Sequence, residues 1–258
     1  MDVLKKFRLD NYNSIITGAA MGLGKAMAQA LAEAGSNIII ADINMDAAEK
    51  TAAEIKEKGV NVVAIHVDVT NVDDCNRLAY EAEEAFGRID VLINNAGICI
   101  HEKAENMDMK DWYRIIDINL NGVFIMSQTI GRVMIKQKKG NIINISSMSG
   151  IIVNTPQCQC AYNTSKAGVI MLTKSLASEW AVHNIRVNTI APGYMKTELT
   201  KPYFESGGDM VNKWMEFSPM RRPGNPEELE GIALYLASEA SSFATGGVFT
   251  IDGGYTIW

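Results

Sequence analysis

Tyr162 and Lys166 stand four residues apart in AYNTSKAG, a stretch that reads as the start of a helix. Positions i and i+4 share a helix face, so the lysine ammonium can sit beside the tyrosine hydroxyl. A free phenol loses its proton near pH 10, too high for a base at neutral pH. Lowering that value by about 2.5 units takes roughly 3.4 kcal/mol. A cation about 5 Å away, at an effective dielectric of 20, supplies roughly 3.3 kcal/mol. The pair can therefore act as a general base. A tyrosine and a lysine alone would more often be two residues on a helix surface, so the assignment depends on what surrounds them.

The second group with chemical meaning is TGAAMGLG, residues 17–24. Gly18, Gly22 and Gly24 follow a G-x-x-x-G-x-G spacing between an apolar strand-like run and a helix-like one, with Met21 and Leu23 in the same turn. Glycines let backbone amides approach a diphosphate at a helix N-terminus, where the helix dipole favours anions. A strand-to-helix position at the start of an alternating chain is the context that gives such a loop its meaning. Asp42 follows the second strand-like run, where a carboxylate can accept from both ribose hydroxyls and would repel a 2′-phosphate. No Arg or Lys lies between it and Asp46, which favours NAD over NADP. Asp68 and Val69 follow the third run and are placed to meet the adenine edge; Asp68 would otherwise be a turn or cap residue.

The elements that must position these groups alternate. Strand-like runs fall at 13–17, 37–41, 62–66, 91–93, 141–145, 186–190 and 248–251. Helix-like runs fall at 23–34, 45–58, 72–86, about 109–136, 161–182 and 226–237. Continuous apolar strands separated by helices imply an α/β fold with a parallel sheet covered on both faces. No linker, repeat or break in composition divides residues 1–258, so one domain is the simplest account. Residues 194–222 depart from the rhythm. They are long, carry a Gly-Gly, and place Met210, Val211, Trp214, Met215 and Phe217 where one apolar helix face could cover a substrate.

With NNAG at 94–97 and YNTSK at 162–166, these features resemble the short-chain dehydrogenase/reductase family from Thr17 to the end of the chain. The resemblance implies a doubly wound Rossmann-type sheet of about seven parallel strands and a catalytic tetrad of Asn119, Ser147, Tyr162 and Lys166. Ser147 is chosen over Ser146 because the family's serine usually stands three residues before a glycine, here Gly150; the spacing to Tyr162 keeps Ser146 as the alternative. Within this resemblance Tyr162 takes the proton of a secondary alcohol, Ser147 orients the reacting oxygen, Lys166 also holds the nicotinamide ribose, and Asn119 anchors a water that relays the proton. Asn95, Ala96, Gly97, Pro192, Gly193 and Thr197 are implied to lie beside the cofactor. Asn94 is expected chiefly to steady the sheet.

The substrate is less legible. NTPQ at 154–157, PGYMKTELT and the ending IDGGYTIW resemble sugar-alcohol dehydrogenases of the family. A polyol of sorbitol, galactitol, xylitol or threitol type, or the matching ketose, is the expected substrate. Ser149, Asn154, Gln157 and His101 are candidate substrate contacts, the carboxamides and imidazole because they carry fixed donors and acceptors. Gluconate 5-dehydrogenase, 3-oxoacyl-carrier reductase and hydroxysteroid dehydrogenase activities are alternatives within the family, and a non-catalytic NAD-sensing regulator is the alternative outside it.

Bulk properties narrow the partners. The net charge of −6 and pI of about 5.2 argue against nucleic acid or an anionic membrane. Cys75, Cys99, Cys158 and Cys160 lack framework spacing, and with no export-type start a cytoplasmic protein with reduced thiols is expected. His66, His101 and His183 are too scattered for a metal cluster. Some relatives hold magnesium around their C-termini, which would involve the Trp258 carboxylate. Apolar neighbours at 123–126 and 169–172 cover a whole helix circumference and need cover beyond the sheet. The family pairs these two helices across a two-fold axis, so a homotetramer is expected.

Overall fold

The computed structural model describes residues 2–198 and 200–258. Met1 and Leu199, the latter inside the expected covering segment and the PGYMKTELT stretch, lie outside the described residues. Strands β1 (Asn13–Thr17), β2 (Asn37–Asp42), β3 (Val62–His66), β4 (Val91–Asn94), β5 (Gly140–Ile145), β6 (Ile185–Pro192) and β7 (Val248–Ile251) form one parallel sheet, ordered β3-β2-β1-β4-β5-β6-β7. Helices α1 (Gly22–Glu33), α2 (Met45–Lys56), α3 (Val72–Phe86), α4 (Met109–Ile116), α5 (Gly122–Gln137), α6 (Cys160–Trp180), α7 (Lys201–Ser206), α8 (Asp209–Phe217) and α9 (Glu230–Ala237) complete the chain.

The central strands are buried along almost their whole length because both faces are covered, and their apolar residues divide between two cores. Ile16, Ile38, Ile40, Ile93, Ile143 and Ile190 enter one core with α1, α2 and α9. Their neighbours Ile15, Ile39, Leu92, Ile142 and Val187 enter the other with α3, α5 and α6. The order reverses at β1, which pairs with β2 on one side and β4 on the other. Connections leave that point in opposite directions and open a crevice above the strand C-termini, the place where open α/β sheets bind ligands. All the expected strands are present; β6 extends to Pro192 because it pairs with both β5 and β7.

Three local departures matter for the site. The helix expected over 109–136 is not continuous: a π turn at Asp117–Asn121 separates α4 from α5. Such widened turns occur often at functional sites, and this one carries Asn119. The helix expected over 226–237 begins as a 3₁₀ turn, Pro226–Leu229, where Glu228 accepts the Asn225 N–H at 2.8 Å. In the 194–222 segment, Gly207 and Gly208 have φ of 64° and 101° and join α7 to α8 through a turn that side chains disfavour. The buried face of α8 is Val211 and Trp214, with Met210 and Met215 on its flanks and buried Ser218 as its C-cap. Phe217 was expected on that face; it is exposed and meets Tyr255 at 6.2 Å instead, because it stands about a third of a turn off the line of Val211. No helix among the described residues is long and apolar enough to cross a membrane.

Candidate active site

Helix α6 begins over the C-terminal end of β5 and brings Tyr162 and Lys166 to the crevice. Lys166 is buried, and its Nζ donates to the Ile145 carbonyl at 2.9 Å. The same Nζ lies 5.6 Å from the centre of the Tyr162 ring. Ser146 Oγ donates to the Lys166 carbonyl at 2.7 Å, which pins the helix to the end of β5. Ser165 Oγ donates to the Tyr162 carbonyl at 2.7 Å, and Asn119 Nδ2 donates to Ser165 Oγ at 3.1 Å. The other bonds of the Asn119 carboxamide go to the backbone of Ile98, at 2.8 Å in each direction. Its side chain thus clamps the segment after β4 to α6 and has little capacity left for the water expected on it.

The electrostatics correct the arithmetic of two isolated charges. Loss of water around the Tyr162 phenol is the largest influence on it, and with the nearby Cys99 raises its pKa above the usual 10; a hydrogen bond with Ser147 opposes this. Burial likewise pulls Lys166 from 10.5 down to about 8. Both charged forms lose hydration, an opposing cost that the Coulomb sum omits. The chain by itself holds the phenol protonated.

Two cavities meet at this pair. One, of about 320 Å³, is lined by Met21, Gly22, Leu23, Asn95, Gly97, Ser147, Tyr162, Lys166, Pro192, Gly193 and Thr197, among others. A second, of about 130 Å³, is lined by His101, Ser147, Ser149, Asn154, Gln157 and Tyr162 together with Gln159, Tyr194 and Trp214. Of the two serines, Ser147 borders both cavities, whereas the Ser146 hydroxyl is committed to Lys166.

A third cavity, of about 290 Å³, lies over the C-termini of β1 to β3 and is lined by Gly18, Asp42, Asp68, Val69, Ala96 and Gly97, with Arg114 of α4. Asp42 accepts the Ala20 N–H of the glycine loop at 2.9 Å and the Asn44 N–H at 3.0 Å, fixing its carboxylate at the rim. A Cβ on Gly24 would come within 2.4 Å of the Gly18 carbonyl and 2.6 Å of Asn95 Nδ2, so only glycine lets α1 start this close to β1. Asn95 Nδ2 holds the Thr17 and Gly18 carbonyls at 3.1 and 2.9 Å. Asp68 Oδ1 accepts both donors of Thr70, at 2.9 Å from the amide and 2.7 Å from the hydroxyl, so part of its role is the turn. Asn94 donates to Ser127 and Asn144 at 2.9 and 2.8 Å within the core, a sheet-steadying role. The tight loop, the exposed start of α1 and the rim carboxylate fit a dinucleotide along this groove.

The second cavity is a carboxamide box. Asn154 and Gln157 donate to the Tyr194 hydroxyl at 3.1 and 2.9 Å. Trp214 of α8 donates to Gln157 Oε1 at 2.8 Å and stacks on Tyr194 at 4.1 Å, so the 194–222 segment forms one wall. His101 packs against Tyr203 at 5.7 Å, and burial lowers its pKa. Trp214 was expected on the covering face and lines the cavity, whereas sequence reasoning missed Gln159, Tyr194 and Arg114 as lining residues. QCQ at 157–159 was the only pattern that could have pointed to Gln159; Arg114 carries no signal short of the fold. Among the described residues no group of three or more His, Cys, Asp or Glu could hold a metal ion, and Trp258 is exposed, its indole N–H meeting the Phe217 carbonyl at 3.1 Å.

Residues 18–256 match a protein-family model described as enoyl-(acyl carrier protein) reductase. Galactitol 2-dehydrogenase of Rhizobium johnstonii is 40% identical over 259 residues, covering 100% of both chains. A ribulose-forming D-arabinitol 2-dehydrogenase of Scheffersomyces stipitis is 40% identical, covering 100% of this chain and 98% of its own. A solved structure of gluconate 5-dehydrogenase from Burkholderia cenocepacia, in complex with NADP and tartrate, superposes with a TM-score of 0.93 at 35% identity and 99% coverage of both chains.

The buried ammonium has a measurable cost. Between about 8 and 10.5 the unfolded chain binds more protons at Lys166 than the folded one, so stability from this group rises with pH there and is lost below about 8. Lys166→Met is therefore expected to stabilise the ligand-free protein at pH 7 by about 1–3 kcal/mol and to flatten the rise from pH 8 to 10, measured by urea unfolding. A less stable variant at pH 7 would contradict the assignment of Lys166 as a strained buried cation.

Proposed function

The chain belongs to the short-chain dehydrogenase/reductase family and is an oxidoreductase that uses a nicotinamide cofactor; from that premise we propose that it oxidises a secondary alcohol of a polyol with NAD and reduces the ketose in reverse. The observation that carries this reading is the carboxamide box: among the described residues lining it there is no Asp, Glu, Lys or Arg. Neutral donors and acceptors suit a hydroxylated chain. A carboxylate such as gluconate, or an acidic carrier, would be left without a cationic partner. The names of the galactitol and arabinitol relatives support the same choice.

In this reading the substrate carbinol lies between Tyr162 and Ser147. Ser147 hydrogen-bonds the reacting oxygen, and the Tyr162 phenolate takes its proton as the carbinol carbon loses a hydride. A bound oxidised nicotinamide supplies the hydride acceptor and a positive charge beside the phenol. Lys166 reaches the same cavity near Gly97 and would hold the ribose there, while Asn119 keeps Ile98 and α6 in register. Trp214 and Tyr203 serve as the covering wall, and the whole chain works as one domain. Asp42 at the rim supports NAD; Arg114 shares that cavity, but Asp42 and Asp68 outnumber it. Exposed Phe124 on α5 and Met171 on α6 are apolar surface that other copies would cover in a homotetramer. Four free cysteines suit the cytoplasm, which cell fractionation checks.

Tyr162→Phe should keep cofactor affinity within about twofold and lose at least about 10³-fold in turnover, measured on polyols with NAD and ketoses with NADH; near-normal turnover removes Tyr162 as the base. A wild-type protein that binds cofactor but turns over nothing in that panel defeats the reading. NADP should bind about 100-fold more weakly than NAD, about 2.7 kcal/mol, with Asp42→Ser closing most of the gap; equal affinities in the wild type would overturn the role of Asp42. Light scattering should give four times the chain mass, and a monomer would exclude the tetramer.

A further inference from the structure

Gln159 immediately precedes α6 and is buried, three residues before Tyr162. Its Nε2 lies 3.1 Å from Ser149 Oγ, 3.0 Å from Asn154 Oδ1 and 2.9 Å from Asn163 Oδ1. Its Oε1 accepts from Gln157 Nε2 at 3.2 Å and faces Cys99 Sγ at 3.9 Å. Ser149 Oγ also receives the hydroxyl of Ser147 at 3.1 Å, and the Ser149 N–H donates back to Ser147 Oγ at 3.1 Å. Ser149 thus stands between a carboxamide and the hydroxyl that borders both cavities.

A carboxamide N–H can only donate. The Nε2 hydrogens are spread over three acceptors, Ser149 Oγ among them, and Ser149 cannot pass its own hydrogen to that nitrogen. The Ser149 hydrogen is left for the cavity. Ser147 donates into the other acceptor position of Ser149, and its hydrogen turns to a better acceptor, such as an alkoxide or carbonyl oxygen, when one enters the cavity.

We propose that Gln159 is a positioning residue that holds Ser149 as its acceptor and keeps the Ser149 hydrogen directed to the cavity, so that both serines offer hydrogens to a substrate oxygen. It rests on the dehydrogenase reading above and assigns that site a donor-presenting wall. It also gives QCQ a role that the tetrad does not.

The test is Gln159→Glu, which keeps the shape and reverses the polarity. An ionised carboxylate accepts the Ser149 hydrogen, which removes that donor from the substrate oxygen and makes Ser149 a stronger acceptor that holds the Ser147 hydrogen back. Once protonated, the introduced carboxyl donates again. Ketone reduction with NADH is followed from pH 8 to pH 5.5 and expressed as the ratio of variant to wild type. The ratio removes the titrations common to both proteins, those of Cys99, Tyr162 and Tyr194, with Lys166 behind Cys99; His101, which meets the residue 159 side chain directly, is removed by taking the same ratio in a His101→Asn background. The expected kcat loss is about 100-fold at pH 8, with at least about tenfold recovery by pH 5.5 and cofactor affinity unchanged. Gln159→Leu should lose activity without that recovery. In a Ser149→Ala background, Gln159→Glu should add less than about twofold.

A Gln159→Glu ratio that is flat with pH, or additive losses in the Ser149→Ala background, would overturn the proposal. Should Gln159→Glu not fold, the pairing of Gln159→Leu with Ser149→Ala decides it alone, because independent structural losses would multiply. Failure of the dehydrogenase reading is seen separately, in the wild type on the substrate panel, whereas the Gln159 role is read from ratios on whichever ketone is reduced.

Discussion

Keeping a lysine ammonium out of water is the constraint on which the site depends. Lys166 enters the protein at the end of β5, where the Ile145 carbonyl receives one of its hydrogens and the Tyr162 ring lies beside it. Among the described residues no carboxylate pairs with it, and burial lowers its affinity for a proton. The architecture around it serves to hold that position. Ser146 fixes the Lys166 carbonyl, Ser165 fixes that of Tyr162, and Asn119 fixes Ser165. A cation held this way costs stability and is sensitive to its surroundings, since any charge introduced nearby acts through a poorly screened medium.

The crevice separates charge from shape. Over β1 to β3 it offers backbone amides, a rim carboxylate and the start of α1, which suit a charged dinucleotide. Beyond Tyr162 it offers neutral carboxamides, hydroxyls and aromatic faces. The wall of the second region is tied to its floor through Trp214 and Gln157, so the segment that covers the cavity is also part of its hydrogen-bonding surface. This division follows from the sheet: the first half of the strands ends in loops short enough to present amides, and the second half ends in the long 194–222 excursion.

Much of this was legible in the sequence because it rests on local chemistry. Strands such as 37–41 and 62–66 were readable from their β-branched apolar residues, and the glycine loop by its place between a strand and a helix. The structure brings Ser147, Tyr162 and Lys166, which the family resemblance singled out, to one cavity wall. Three things were hidden for physical reasons. The π turn at Asp117–Asn121 has no compositional mark, since its side chains are those of an ordinary helix. The partners of Gln159 lie on loops and helices whose approach depends on the whole fold. The shift of the Tyr162 phenol depended on how dry the site is, and burial of a polar pair cannot be read from the spacing of two residues.

Whether the phenol becomes a base only with cofactor charge beside it can be measured directly. Tyrosinate absorbance, taken as the difference between wild type and Tyr162→Phe, would be titrated in the free protein and with saturating oxidised cofactor. The account predicts that the free-protein phenol stays protonated to pH 10 and beyond, and ionises at distinctly lower pH in the complex. Ionisation below pH 10 in the free protein, unchanged by cofactor, would contradict it.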